Sequence, residues 1–291
     1  MTQQQTTQGP HELRDLATTI AVGAAELVAR RRRDGVSVAA TKTSLVDVVT
    51  EVDRESETFI RSALARARPH DGFLGEESGG SGGTSGLTWV VDPIDGTVNF
   101  LYGIPAYGVS IAVMTGADPL DGGVVAGVVV NPATGDVWSA ARGCGATLNG
   151  VDLRVSGAER LSEALVGTGF SYRPEFRRVQ GAVVAGVLPR VRDVRRIGAA
   201  ALDLCAVAAG RLDGYYERWL NPWDFAAGVL IAQEAGAVVT ASPVAHDGSR
   251  LLIAAAPGVA HQLSALAGSL DDALVVPLTA SPDADAPNSG S

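Results

Sequence analysis

Cysteine is nearly absent from this chain of 291 residues: Cys144 and Cys205 lie far apart and in no Cys-x-x-Cys spacing. That excludes a disulfide scaffold and a thiolate zinc site, and it leaves two free thiols expected to be buried in a reducing compartment. Histidine is scarce too. His11, His70, His246 and His261 stand without a partner motif, so the His or Cys nucleophile of covalent phosphoryl chemistry is missing. No Gly-x-x-x-x-Gly-Lys-Ser/Thr or Gly-x-Gly-x-x-Gly sits in a strand–turn–helix setting, which argues against a P-loop or a dinucleotide cradle. Basic charge is in deficit, with a formal net charge of −9, the wrong sign for a nucleic acid surface. Long apolar runs are lacking as well. The stretch from Ala17 to Ala29 is interrupted by Thr18, Thr19 and Glu26, and the polar start Met1–Gln8 has no secretory core. A cytoplasmic protein is expected, with no membrane and no nucleic acid partner.

What is present is a foldable core. Hydrophobic residues make up 46% of the chain and charged residues 19%, which argues against wholesale disorder. Leu13, Leu16, Ala17, Ile20, Ala24, Leu27 and Val28 recur at helical spacing from about His11 to Arg33, ending in the basic run Arg30–Arg33, which reads as a solvated helix end. A short strand is expected over Val46–Thr50, a second helix from Arg54 to Arg68, and an exposed Gly/Ser-rich loop over Ser78–Gly86. Three β-branched runs, Tyr107–Met114, Gly123–Val130 and Asp136–Ala141, read as consecutive antiparallel strands. From Leu161 onward strands and helices alternate, ending in a helix over Val259–Ala267. The pattern predicts an α/β protein with an α+β first half: a tail over 1–10, subdomains over 11–155 and 156–276, and a tail over 277–291.

The most informative feature is Asp92-Pro93-Ile94-Asp95-Gly96-Thr97, entered from the apolar strand Leu87–Val91. Pro93 fixes its own φ and lacks an N–H, so a rigid turn follows Asp92. Such a turn can aim both carboxylates and the Ile94 carbonyl at one point, and clustered hard oxygens suit Mg²⁺. The same residues also build ordinary Asx turns. Two further boxes accompany it. Phe73-Leu74-Gly75-Glu76-Glu77-Ser78 is an apolar stub ending in acids, and Trp223-Asp224 opens an apolar helix ending near Gly236, with Asp224 where an N-cap is expected.

In order and spacing these boxes resemble the inositol monophosphatase family of Mg²⁺-dependent, lithium-sensitive phosphatases, most of all its actinobacterial inositol-1-monophosphatases. The likeness runs from about Lys42 to Gly236. It implies a layered αβαβα sugar-phosphatase sandwich, a homodimer, and two or three Mg²⁺ ions. Glu76, Asp92 and the Ile94 carbonyl would hold the first ion, Asp92, Asp95 and Asp224 the second, with a looser third near Glu76. Thr97 would polarise the attacking water, oriented by Asp53, which by itself also reads as an N-cap. The backbone N–H groups of Gly96 and Thr97 would hold phosphate. Gly198, Ala200, Asp224 and Glu217, seven residues before Asp224, would face the substrate ring, and Lys42 would lie near the site. Relatives often carry Thr or Ser where this chain has Ala199, and animal members a Cys where it has Pro222. The implied reaction is hydrolysis of myo-inositol 1-phosphate. Histidinol phosphate, fructose 1,6-bisphosphate and 3′-phosphoadenosine 5′-phosphate are the alternative substrates. A bisphosphate would need cations such as Arg195-Arg196 or Arg173, Arg177 and Arg178, which read as surface or dimer contacts. A regulatory protein with RNA-linked partners is the third reading, and the intact acidic set weighs against lost activity.

Overall fold

In the computed structural model, residues 9–34, 38–41 and 48–279 are described. The chain begins with helix α1 (Pro10–Asp34), an antiparallel pair β1 (Val38–Thr41) and β2 (Val48–Thr50), and helix α2 (Glu51–Ala67). A large sheet follows: β3 (Gly72–Gly75), β4 (Gly79–Ser81), β5 (Leu87–Asp95), the short helix α3 (Thr97–Tyr102), then β6 (Gly108–Thr115), β7 (Val124–Val130), β8 (Val137–Ala141), β9 (Ala146–Leu148) and β10 (Val151–Asp152). Its order is β10-β9-β8-β7-β6-β5-β3-β4, antiparallel throughout except for β3 beside β5. The rest of the chain alternates: β11 (Leu165–Thr168), α4 (Pro174–Val187), β12 (Asp193–Arg195), α5 (Ala200–Ala208), β13 (Gly214–Arg218), α6 (Pro222–Glu234), β14 (Val238–Ala241), β15 (Leu251–Ala255) and α7 (Pro257–Thr279). These strands form a second sheet ordered β12-β11-β13-β15-β14.

The period-2 geometry of a strand explains why the large sheet is covered on both sides. Val91, Ile111, Val113 and Val128 pack with Leu13, Ala17, Ile20 and Val28 of α1 and Ile60 of α2. Their strand neighbours Val90, Ala112, Met114 and Val129 point the other way, onto Leu202 of α5 and Ala227, Leu230 and Ile231 of α6. Helix α6 is apolar all round because it is buried all round. Its Phe225 and Val229 turn to the second sheet, meeting Leu204, Tyr215, Leu252 and Ala254. The far face of that sheet is closed by α4 and α7 through Val179, Val183, Val187, Val259 and Leu263. Helix, sheet, helix, sheet, helix: the αβαβα sandwich is complete, with α5 and α6 as the shared middle layer.

Several sequence expectations shift. Pro10 belongs to α1 rather than to a tail, and residues 1–8 lie outside the described region, as do Val46, Asp47 and residues 280–291. The Gly/Ser run contains β4, which hydrogen-bonds to β3 as the exposed sheet edge. The basic end of α1 is not merely solvated: Arg31 pairs with Glu55 at 2.8 Å, and Arg32 lies 5.9 Å over Phe100. Helix α7 runs past Ala267 to Thr279, and on that extension buried Asp271 pairs with buried Arg218 at 2.8 Å. Cys205 is buried but Cys144 is exposed, in a turn whose Gly143, Cys144 and Gly145 N–H groups all donate to the Glu234 carboxylate. Among the described residues no helix is long and apolar enough to cross a membrane.

Candidate active site

Where the two sheets approach each other across the α5–α6 layer, a cavity of about 580 Å³ opens. Glu76, Asp92, Asp95, Thr97, Glu217 and Asp224 all line it. Asp92 and Asp95 share it because β5 is irregular there. Asp92 pairs with Ser110 and Asp95 with Gly108, so three steps on β5 match two on β6. In a regular strand residues three apart face opposite sides; one extra residue brings both carboxylates to the same side.

Each acid is aimed by a backbone donor. Asp92 Oδ1 accepts from the Ile94 N–H at 3.0 Å, and Asp95 Oδ2 from the Ala201 N–H, at the start of α5, at 2.7 Å. Asp224 Oδ2 accepts from the Asn221 N–H at 2.7 Å. Asn221, not Asp224, is therefore the N-cap of α6, with Asp224 three residues in and the two side chains forming a reciprocal capping box. Glu76 follows β3, and its loop is gathered by buried Glu57, whose carboxylate accepts from the Glu77 and Ser78 N–H groups, each at 2.8 Å. The Thr97 hydroxyl donates to the Ile94 carbonyl at 3.1 Å and lies 3.5 Å from Asp53, a long approach. Asp53 is buried in the first turn of α2, which begins at Glu51, so it is not that helix's N-cap. Gly96 sits at φ +89°, and a β-carbon there would meet the Ala106 and Gly198 carbonyl oxygens and the Ala199 methyl at 3.0–3.1 Å. Only glycine fits.

Burial and like charge act together on these acids. Asp92 is pushed well above the usual carboxylate range by burial, then by Glu76, Asp95 and Asp224. Asp224 is raised by burial and by Asp95 and Glu76, and Asp95 is pushed up to about 7, mainly by burial. Neither His nor Cys lines the cavity, so its donors are hard oxygens, the set that suits Mg²⁺ rather than zinc. Among the described residues no three acidic, His or Cys side chains close into a tight metal cage. Mutual repulsion in the absence of a cation favours such an open arrangement. The donor chemistry and the stacked negative charge fit divalent ions.

Across the cavity, Glu217 lies next to the end of β13 and accepts a hydrogen bond from the Tyr215 hydroxyl. Burial pushes its pKa to about 7, against the opposing pull of Tyr215 and Arg196. A β-carbon on Gly169 would sit 1.9 Å from the Glu217 carboxylate, so that glycine makes the room Glu217 occupies. Gly198, Ala199 and Ala200 line the same side, tied to α3 by Asn99, whose amide donates to the Ile197 and Ala106 carbonyls at 2.9 and 2.8 Å. Lys42 lies outside the described residues. Arg173 and Arg196 line the cavity rather than the outer surface alone, whereas Arg195 pairs with Asp193 at 2.5 Å on the outside. Sequence reasoning passes over Tyr215, Gly169, Glu57 and Asn221. Of these only Asn221 carries a local signal, an Asn-Pro-x-Asp start to a helix.

The family model described as "Inositol monophosphatase family" matches residues 10–271. The inositol-1-monophosphatase SuhB of Mycobacterium tuberculosis is 48% identical over 275 residues, covering 88% of this chain and 93% of that protein. The Nus factor SuhB of Pseudomonas aeruginosa is 41% identical over 249 residues, 80% of this chain and 86% of its own. The solved structure of Mycobacterium tuberculosis SuhB superposes with a TM-score of 0.78 at 47% identity, covering 91% of this chain and 98% of that one. The chain is a phosphatase that belongs to the inositol monophosphatase family.

Proposed function

We propose that this phosphatase hydrolyses myo-inositol 1-phosphate with Mg²⁺ as its cofactor. The observation that carries the reading is the pairing of an acidic wall with a polyol-recognising one: Glu76, Asp92, Asp95 and Asp224 face the same cavity as Glu217. Two or three Mg²⁺ ions held by those four acids and the Ile94 carbonyl would neutralise them and supply the Lewis acid of phosphoryl transfer. The chain's own groups do the positioning. The backbone N–H groups of Gly96 and Thr97, at the start of α3, donate to phosphate oxygens. The Thr97 hydroxyl, held between Ile94 and Asp53, orients the attacking water, with Glu76 on the same side. Glu217, together with the Gly198 and Ala200 backbone and Asp224, accepts the ring hydroxyls. A charged acceptor discriminates against leaving groups that cannot donate.

The test is one panel of purified protein against inositol 1-phosphate, histidinol phosphate, fructose 1,6-bisphosphate, 3′-phosphoadenosine 5′-phosphate and glycerol 2-phosphate, with Mg²⁺ and with chelator. Inositol 1-phosphate should give the highest kcat/KM, and chelation should abolish turnover. Li⁺, close to Mg²⁺ in size but with half its charge, should inhibit uncompetitively. Turnover that survives chelation would sink the metal assignment, and preference for a bisphosphate would move the substrate. Sedimentation tests the homodimer implied by the family.

A further inference from the structure

The outer part of the cavity is bounded by a stack that takes no part in the chemistry above. The Phe176 and Trp219 rings lie face to face, centroids 4.2 Å apart and 3° from parallel. The Arg173 guanidinium is 4.4 Å from the Phe176 centroid. Arg218 lies 6.0 Å from the Trp219 centroid, and the Trp219 Nε1 donates to Asp247 at 2.9 Å. Trp219 is thus held on the ring face that meets Phe176 and at its N–H. Its backbone, however, sits at φ +68°. A bulky residue in that region is a true outlier, kept there only by its surroundings, and such outliers point to function. Trp219 and Arg173 both line the cavity, and Trp219 is two residues beyond Glu217.

Building on the phosphatase reading, we propose that Trp219 is a specificity-determining residue. The Arg173–Phe176–Trp219 stack is an outer wall that admits a single hydroxyl-rich ring and disfavours leaving groups that carry an aromatic base. Aromatic rings have negative faces and positive edges. With the Phe176 and Trp219 faces turned onto each other, this wall presents ring edges and the Arg173 guanidinium to the cavity, which suit hydroxyl oxygens, and keeps the shared faces of the two rings from an incoming base.

The experiment uses Trp219→Gly in the full chain, since glycine accepts φ +68° without strain. With Mg²⁺ present, kcat/KM is measured for adenosine 2′-monophosphate, glycerol 2-phosphate and inositol 1-phosphate, alongside melting temperature. The ratio of the adenosine ester to glycerol 2-phosphate should rise about tenfold, mostly through KM. Phe176→Leu, which unstacks the wall without touching the strained backbone, should move the same ratio in the same direction, and it decides the matter if Trp219→Gly does not fold. An unchanged ratio in folded variants overturns the proposal. So does a falling ratio, which would make the ring a platform for the base. Because neither ester in the ratio is an inositol phosphate, the wall is tested even if inositol 1-phosphate proves a poor substrate.

Discussion

The cavity wall on the large-sheet side takes Asp92, Ile94, Asp95, Gly96 and Thr97 from one short segment, whereas the opposite wall takes Gly169, Arg196, Glu217 and Trp219 from separate elements of the second sheet and its connections. The first wall is local: a strand, a one-residue bulge and a short helix suffice to aim its groups. The second exists only once β11, β13 and the segment before α5 are packed together. On the proposed reading, much of the chemistry shared by many esters is written in six consecutive residues, whereas recognition of one leaving group has to be assembled from afar.

Breaking the local wall should have the largest effect. Asp92→Asn or Asp95→Asn keeps the shape and removes a charge. Since even residues that only support metal ligands cost 10–100-fold, each change should lower kcat at least about a hundredfold for every ester. Turnover against Mg²⁺ concentration checks this, and both variants retaining activity would refute the acidic wall's role. Glu217→Gln should cost about 1.5–3 kcal/mol, roughly tenfold to a hundredfold in kcat/KM, for inositol 1-phosphate but little for glycerol 2-phosphate. An equal loss on all substrates, with weaker Mg²⁺ binding, would mean Glu217 only braces the loop that carries Asp224. Gly169→Ala should reproduce that substrate-selective pattern at several-fold size, because its β-carbon displaces the Glu217 carboxylate while leaving the acidic wall alone. A kcat/KM profile over the same esters distinguishes the two walls.

The smallest effect is thermal and depends on pH. Asp95 and Glu217 are both raised to about 7, so in the metal-free protein the native state holds protons that the unfolded chain releases near pH 4–4.5. Stability from these groups is full below that range and is lost as pH rises through about 7, at up to about 1.4 kcal/mol per pH unit for each proton. Glu217 keeps an opening to the cavity, which tempers its share. Melting temperature in chelator should therefore fall by a few degrees between pH 5 and pH 8. Added Mg²⁺ should remove the acidic wall's part of the slope and Glu217→Gln the other part.

The Asp92–Thr97 part of the acidic wall was legible in the chain for the same reason that it is local. Proline, glycine and two carboxylates within six residues encode their own geometry, and the spacing of the Glu76 and Asp224 boxes completes the set. The layer order came through the family likeness, since alternation of strands and helices does not say which helix lies between the sheets. What escaped is tertiary. Tyr215 reads as one more strand aromatic until its hydroxyl meets Glu217, and Gly169 as a strand end until the carboxylate fills the place of its missing side chain. The last turns of α7 carry Asp271 to Arg218, a contact between residues far apart in sequence. The shift of the α6 cap from Asp224 to Asn221 was readable, because Pro222 marks the first helical turn.

The ion pair of Arg218 and Asp271 also puts a clock on the site. Arg218 directly follows Glu217, is 3% exposed, and spends its guanidinium on Asp271, Ser249 and Ser242. A buried charge without its partner is strongly destabilising. During synthesis at about 5–20 residues per second, the stretch between Thr97 and Asp271 occupies on the order of ten seconds or more. Throughout that interval the nascent chain already carries Asp92, Asp95 and Thr97 but lacks the lock behind the strand that carries Glu217. On the proposed reading, Glu76 and the Asp92–Thr97 turn emerge early, Asp224 follows Glu217, and the wall that chooses the leaving group is secured only as the last helix leaves the ribosome.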